Sequence, residues 1–351
     1  MIHNVLSKLL VSGLACASLA TAAIAADADP LFADNSTLEV RLTAPIEQLM
    51  GERPFKGDTE LPGTFEIIAA DGSVQEFPVA VRTRGNFRRR PDICPFAPIR
   101  LNFKKGDVKD TILAKQNKLK MVAHCRSNSS VYEQTVAKEY LVYRILNLLT
   151  EQSFRARMMR ITYVDSDGGE DETSLAFLIE SKERLAKRID MELSGVQAIN
   201  PSRVEPVHMN LVSVFQYLVS NLDFSPVSGT AGESCCHNFT LFSPDKKVYW
   251  SIPYDFDLTG FVEAKHHEPN PKYRQSHVRE RIYRGRCINN EHLPATLQTF
   301  REKQEDINEL IATQVELNKG SRKRVESFVE SFYRLLEKED RLIKKLEKVC
   351  I

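Results

Sequence analysis

The segment Tyr249-Trp250-Ser251-Ile252-Pro253-Tyr254-Asp255-Phe256-Asp257 carries the sharpest chemical signal in this chain. An apolar run ends in two carboxylates at i and i+2, followed by Leu258, Thr259, Gly260 and Phe261. Carboxylates set just past a strand end, among aromatic neighbours, can hold a divalent cation against phosphate oxygens. Magnesium needs only one or two carboxylates when substrate phosphates complete its shell. An isolated Asp-x-Asp is also a common capping or turn element, so context decides. Upstream, Asp223 closes an apolar helical run and Asn238 opens the next strand. Phosphoryl transfer uses these residue types in this order. One Asp orients or deprotonates the acceptor hydroxyl, and a following Asn and Asp face metal.

The elements that must position these groups are legible from periodicity. Leu38–Leu42, Thr64–Ile68 and Phe77–Arg82 alternate apolar and polar residues, with turn signals such as Asp71-Gly72 between them. Pro98–Phe103 and Leu119–Ala123 read as two further strands. A long helix is predicted over about 129–149, where Val136, Tyr140, Tyr143, Leu141, Ile145 and Leu146 recur at three- and four-residue spacing. A hairpin follows, Met159–Asp165 and Ser174–Glu180, around the acidic loop Ser166–Glu172. That loop reads as a solvated turn; the alternative, a calcium loop, lacks the ligand spacing. Asn210–Leu222 reads as a buried core helix, and Asn238–Phe242 and Val248–Ile252 as strands. From Leu297 onward the chain is charged and helical, broken near Asn318–Ser321, with Phe328, Phe332, Leu335 and Leu336 on one stripe. The expected fold class is therefore α+β, in the outline of a bilobal atypical protein-kinase-like fold. Residues 37–181 would form a β-rich N-lobe with one inserted helix, and 182–351 a mainly helical C-lobe bearing the metal and catalytic loop.

Length and charge bound the function. With 351 residues and a net charge of +1, the chain can bury a large core, and it lacks the basic excess of a dedicated nucleic-acid binder. Lys8, the apolar run Leu9–Ala20 and Ala23-Ile24-Ala25 read as a secretory signal peptide over 1–25. The apolar run is shorter than the roughly 20 residues a membrane span needs, and no later stretch qualifies. The mature chain is thus expected outside the cytoplasm, in the periplasm or secreted, with no transmembrane segment. Removing Cys16 leaves Cys94, Cys125, Cys235, Cys236, Cys287 and Cys350, an even set that reads as a disulfide framework of undetermined pairing. A zinc site from Cys235, Cys236, His237 and the His266-His267 pair is the competing reading, disfavoured by the absence of any CxxC spacing. His124 beside Cys125 reads as structural. The run Arg88-Arg89-Arg90 reads as a solvated hairpin tip.

Four stretches together resemble the spore-coat CotH kinase family: Val81-Arg82-Thr83-Arg84-Gly85-Asn86, Pro98–Phe103, Leu119–Ala123 and Pro253–Asp257. The resemblance covers about 79–261 in pieces, in order. It implies ATP- and metal-dependent phosphorylation of secreted or surface proteins, with Mg2+ or Mn2+ as the metal. It implies Asp223 as the acceptor-orienting residue, and Asn238, Asp255 and Asp257 as metal-facing. Arg84, Gly85 and Asn86 would turn toward the nucleotide phosphates. Glu133 or Glu139 would orient the phosphate-binding cation, and Glu180 would border the adenine pocket. Where the family carries a lysine pair before its basic strand, this chain has Cys94-Pro95-Phe96-Ala97, which leaves Arg100, Lys120 or a preceding arginine as that cation. The expected partners are a nucleotide and a protein acceptor in the envelope. The alternatives are an inactive binding module of the envelope, and a metal-dependent hydrolase using Asp255 and Asp257 with His237.

Overall fold

The computed structural model describes residues 29–54, 60–229 and 235–351; the signal-peptide reading of 1–25 lies outside them. Seven strands close into a barrel: β1 (Leu38–Ala44), β2 (Leu61–Ile68), β3 (Val74–Thr83), β4 (Ile99–Phe103), β5 (Lys118–Val122), β6 (Ala156–Asp165) and β7 (Glu172–Ile179). Neighbours run in the order β1-β2-β3-β4-β5-β7-β6, and a parallel pairing of β1 with β6 closes the ring. All other pairings are antiparallel. Alternation in each strand sends Val40, Leu42, Phe65, Phe77, Val81, Leu101, Phe103, Leu119 and Met121 inward into one buried cluster. The interior is therefore a packed core, as a barrel of this strand number requires.

Part of the outer wall of the barrel is covered by a helix. Helix α3 (Ser130–Leu149), following the short helices α1 (Pro30–Ala33) and α2 (Ile46–Glu52), lies against β6 and β7. This is why Leu175–Ile179 reads as a continuous apolar run, since β7 is buried on both faces. Past β7 come α4 (Lys182–Arg188) and a three-stranded antiparallel sheet, β8 (Glu192–Leu193), β9 (Phe239–Ser243) and β10 (Trp250–Pro253). Among the described residues this part also holds the α-helices α5 (Pro206–Val219), α6 (Leu293–Glu302), α7 (Gln304–Thr313), α8 (Lys319–Leu336) and α9 (Glu339–Val349). The expected C-terminal stripe forms, with Phe328, Phe332 and Leu336 buried and Leu335 partly so.

The bilobal kinase-like expectation is corrected by this architecture. The strands were legible, but the closure of all seven into a barrel through the parallel β1–β6 contact was not. The helical part is also not a separate lobe. One buried cluster runs from Phe177 and Met158 on the outer barrel wall, through Leu141 and Ile145 of α3, to Leu346 of α9. Truncating a member such as Leu141, fully buried in that seam, costs about 2–5 kcal/mol.

All six cysteines beyond residue 28 pair: Cys94 with Cys125, Cys235 with its neighbour Cys236, and Cys287 with Cys350. Three disulfides fit an oxidising compartment. Among the described residues, no helix is long and apolar enough to cross a membrane. The acidic loop between β6 and β7 is a pinned turn. Its Asp165 carboxylate accepts from the amides of Glu47 at 2.7 Å and Asp167 at 3.0 Å.

Candidate functional site

The β9–β10 hairpin brings the candidate metal residues together. Its register sets Phe239 opposite Pro253, so Asn238 and Tyr254 leave the ladder at the same end, and the Tyr254 amide donates to the Asn238 carbonyl at 3.0 Å. Asn238 and Asp255 both take left-handed backbone conformations (φ 55° and 64°), a region that Asn and Asp tolerate better than most side chains. The Asp255 amide donates to Tyr143 Oη of α3 at 2.9 Å. Beyond Asp257 the loop is tied to the end of α5, where the amides of Gly260 and Phe261 donate to the carbonyls of Ser220 and Val219. Gly260 is required there. A Cβ at this position would lie 2.2 Å from the Val278 carbonyl oxygen and 2.8 Å from Ser220 Cβ.

Asp223 joins the cluster through two bridges, Asn221 with Thr259 and Ser225 with His237. Its carboxylate accepts from His237 Nε2 at 2.7 Å and from Asn238 Nδ2 at 3.0 Å, and Asn238 Nδ2 also reaches the Asp223 carbonyl at 2.7 Å. The Asp223 side chain is 39 % exposed.

The opposite wall is cationic and comes from the outside of the barrel. Arg82, Arg100 and Lys120 stand opposite one another across β3, β4 and β5. Lys120 Nζ lies 4.3 Å from the centre of the Tyr254 ring, and Arg82 pairs with Glu60 at 3.3 Å. Arg84, just past β3, acts electrostatically on Lys120, Asp255 and Glu139. Burial, with the positive field of Arg84 and Arg100 and against the pull of Asp255, lowers Lys120 to about 7. Burial also lowers Arg100, helped by Arg82 and Arg84.

Glu139 lies between the two walls. Its buried carboxylate is 3.4 Å from Arg88 Nη1, and the same guanidinium places Nε 3.8 Å from Asp257 Oδ2 and donates Nη2 to the Ala123 carbonyl at 2.7 Å. Burial raises Glu139 far above the usual carboxylate range, with Asp257 and Asp255 adding to it against Arg88. Burial and the neighbouring Asp257 likewise raise Asp255. Asp257 goes the other way: against its burial, the contact with His266 Nε2 at 3.4 Å and the Arg88 charge hold it low.

Asp255, Asp257 and the Asn238 side-chain oxygen are ligands of the type a hard divalent cation takes. Two carboxylates oppose each other's ionisation, a repulsion that a cation relieves, and Glu139 Oε1 is buried with no hydrogen-bond partner among the described residues. Among the described residues, the one group of three His, Cys, Asp or Glu ligand atoms close enough to share an ion is Cys94, Cys125 and His266, and its two sulfurs are bonded to each other; Asp255, Asp257 and Glu139 do not form such a group. The zinc reading fails for a similar reason, because Cys235 and Cys236 are joined in a disulfide directly before His237.

Of the residues expected at the site, Asp223, Asn238, Asp255, Asp257, Arg84, Arg100, Lys120 and Glu139 converge. Gly85 (φ 82°) and Asn86 are exposed on the loop beyond Arg84, and Glu133 sits in the first turn of α3. Glu180 is occupied otherwise: Arg188 donates to both its oxygens at 3.0 and 2.8 Å, and the Arg155 amide to one of them at 3.1 Å. It fastens α4 to the barrel. His237, which the hydrolase alternative assigned to Asp255 and Asp257, pairs with Asp223. Sequence reasoning read Arg88 as part of a solvated tip or as one of several candidate cations, and His266 only as a ligand of the disfavoured zinc site; neither was placed beside Asp257. Arg88 is split from its run, since it is 9 % exposed while Arg90 is exposed and pairs with Asp92.

A scan against models of protein families finds no match for this chain, and a search of curated proteins finds none.

Proposed function

We propose that this protein works outside the cytoplasm, binds ATP with Mg2+ or Mn2+, and transfers a phosphoryl group to a hydroxyl of a secreted or envelope protein. The observation that carries the reading is the meeting of Lys120, Arg84 and Arg100 from the barrel wall with Asp255, Asp257 and Asn238 from the hairpin end. Motif resemblance to the CotH kinases supports it, and the three disulfides and the signal-like N-terminus support the compartment.

The side chains divide the work by charge. Asp255 and Asp257, with the Asn238 oxygen, would hold the metal, which neutralises charge on the phosphate oxygens. Lys120, Arg84 and Arg100 hold the non-transferring phosphate oxygens. Asp223, fixed by His237 and Asn238, takes the acceptor proton while the acceptor oxygen bonds to the terminal phosphorus and the bond to the leaving diphosphate breaks. Glu139 and Arg88 position Asp257.

Thermal unfolding of the oxidised protein, with and without ATP plus metal, tests this. Ligand at ~100 times its dissociation constant stabilises by about 2.7 kcal/mol. The expected shift needs both nucleotide and metal and vanishes in Asp257→Ala and in Asp255→Asn. No shift in a folded protein overturns the reading. A shift without transfer to any envelope protein favours the inactive binding module.

A further inference from the structure

The stretch 279–286 carries four arginines, and the fold uses them unequally. Arg279 pairs with Glu263 at 3.5 Å. Arg281 spends all three nitrogens: Nε donates to the Leu218 carbonyl at 3.0 Å, Nη1 to Ser331 Oγ at 2.8 Å and Nη2 to the Phe328 carbonyl at 2.6 Å. Arg284 and Arg286 form no ion pair among the described residues, and Arg286 Nε is buried there without a hydrogen-bond partner.

Arg284 is fixed in place beside Asp223. Its Nη1 donates to the carbonyls of Leu222 and Phe224, both at 2.9 Å, and so grips the backbone on either side of that aspartate. The guanidinium carbon lies 4.3 Å from the centre of the Phe224 ring and 4.5 Å from that of Tyr273, which sets the plane of the group. The opposite edge, Nε and Nη2, has no partner among the described residues and, unlike Arg286 Nε, is not fully buried. Burial lowers both arginines, and the Arg286 charge adds to this at Arg284 against the pull of Tyr273 and Asp223. Two half-buried like charges in this position are relieved by a further anion.

We propose that Arg284 and Arg286 form an anion subsite that takes an acidic side chain of the acceptor protein, close to the hydroxyl presented to Asp223. Arg284 Nε and Nη2 are the two donors of one guanidinium edge, which a carboxylate meets with both oxygens, and their orientation is set before the ligand arrives. Arg286 adds charge. The inference rests on the phosphoryl-transfer reading for the role of Asp223, and it makes the acceptor a hydroxyl residue within an acidic sequence.

Titration calorimetry on the oxidised protein tests it with two alanine-glycine peptides, each holding one serine flanked on both sides by glutamates or, in the neutral control, by glutamines. The glutamate peptide is expected to bind at least about tenfold more tightly. Arg284→Gln should abolish that preference, and Arg286→Gln should lower it by about threefold. The preference is a ratio between two peptides on one protein, so a loosened Asp223 loop, which weakens both alike, does not move it. Melting curves with ATP and Mn2+ on the same samples keep the two readings apart. A metal-dependent shift with equal peptide affinities overturns the subsite alone. No shift, with a preference that depends on Arg284, supports the subsite and overturns phosphoryl transfer. Equal affinities, no binding of either peptide, or a preference unchanged in Arg284→Gln overturns the proposal.

Discussion

Arg88 and Glu139, 51 positions apart in the chain, meet in a buried hydrogen bond at 3.4 Å, and the same guanidinium reaches Asp257 at 3.8 Å. The loop between β3 and β4 is thereby fastened to α3 and to the carboxylate pair at one point. Arg88, with His266, holds Asp257 low against its burial, beside a Glu139 that burial favours in its protonated form.

Removing it takes from the buried Asp257 carboxylate its guanidinium partner and from Glu139 its hydrogen bond. Arg88→Ala is expected to destabilise the protein by about 3–5 kcal/mol, the usual result of breaking a buried pair from one side. Urea unfolding at neutral pH measures it. A loss below about 1 kcal/mol would match an exposed pair instead and contradict the arrangement.

Asp255→Asn should separate stability from binding. Asn tolerates the left-handed backbone that Asp255 adopts. It also removes a charge that burial and Asp257 disfavour. The free protein is therefore expected to be at least as stable as the parent, while the metal-dependent shift of about 2.7 kcal/mol disappears. Parallel melting curves with and without Mn2+ and ATP report both. A destabilised variant that keeps its metal response would refute the assignment.

Lys120 predicts a pH dependence of phosphate binding. Its ammonium is lowered to about 7, and an anionic ligand favours the protonated form. Affinity is expected to fall as pH rises above about 7, by up to about tenfold per pH unit, with proton uptake on binding. Lys120→Arg, which stays charged, should flatten the profile. In the free protein the sign is set by the lowered base. The unfolded chain holds this proton up to about pH 10, so stability rises with pH between about 7 and 10. Calorimetry in buffers of different ionisation enthalpy detects the uptake, and a flat profile in the parent excludes Lys120 from the phosphate contact.

His208 sets an acid limit. It is buried in α5, and its Nε2 donates to the Ser251 carbonyl of β10 at 3.1 Å. Burial lowers it to about 4 in spite of that bond. A histidine that protonates more readily when unfolded withdraws stability as pH falls from about 6.5, by about 3 kcal/mol at about pH 4. Unfolding of the parent and of His208→Gln across this range gives the difference. Identical acid slopes would show that His208 does not carry it.

The order Asp223, Asn238, Asp255, Asp257 was legible because each residue marks the end of a helix or strand, and element ends are encoded locally by periodicity and turn residues. The same locality made α3, the β6–β7 hairpin and the C-terminal stripe readable. Barrel closure was not, because β1 meets β6 across more than a hundred residues of chain, and an alternating strand carries no mark of which edge it will find. The burial of Arg88 was equally hidden: three consecutive arginines look alike until Glu139 and Asp257 arrive beside one of them. The pairing of Glu180 with Arg188 was hidden in the same way. Residue type and period thus determined the elements and the order of the acids along the chain. The tertiary structure alone decided which charges meet, since partner choice depends on where distant segments return in space.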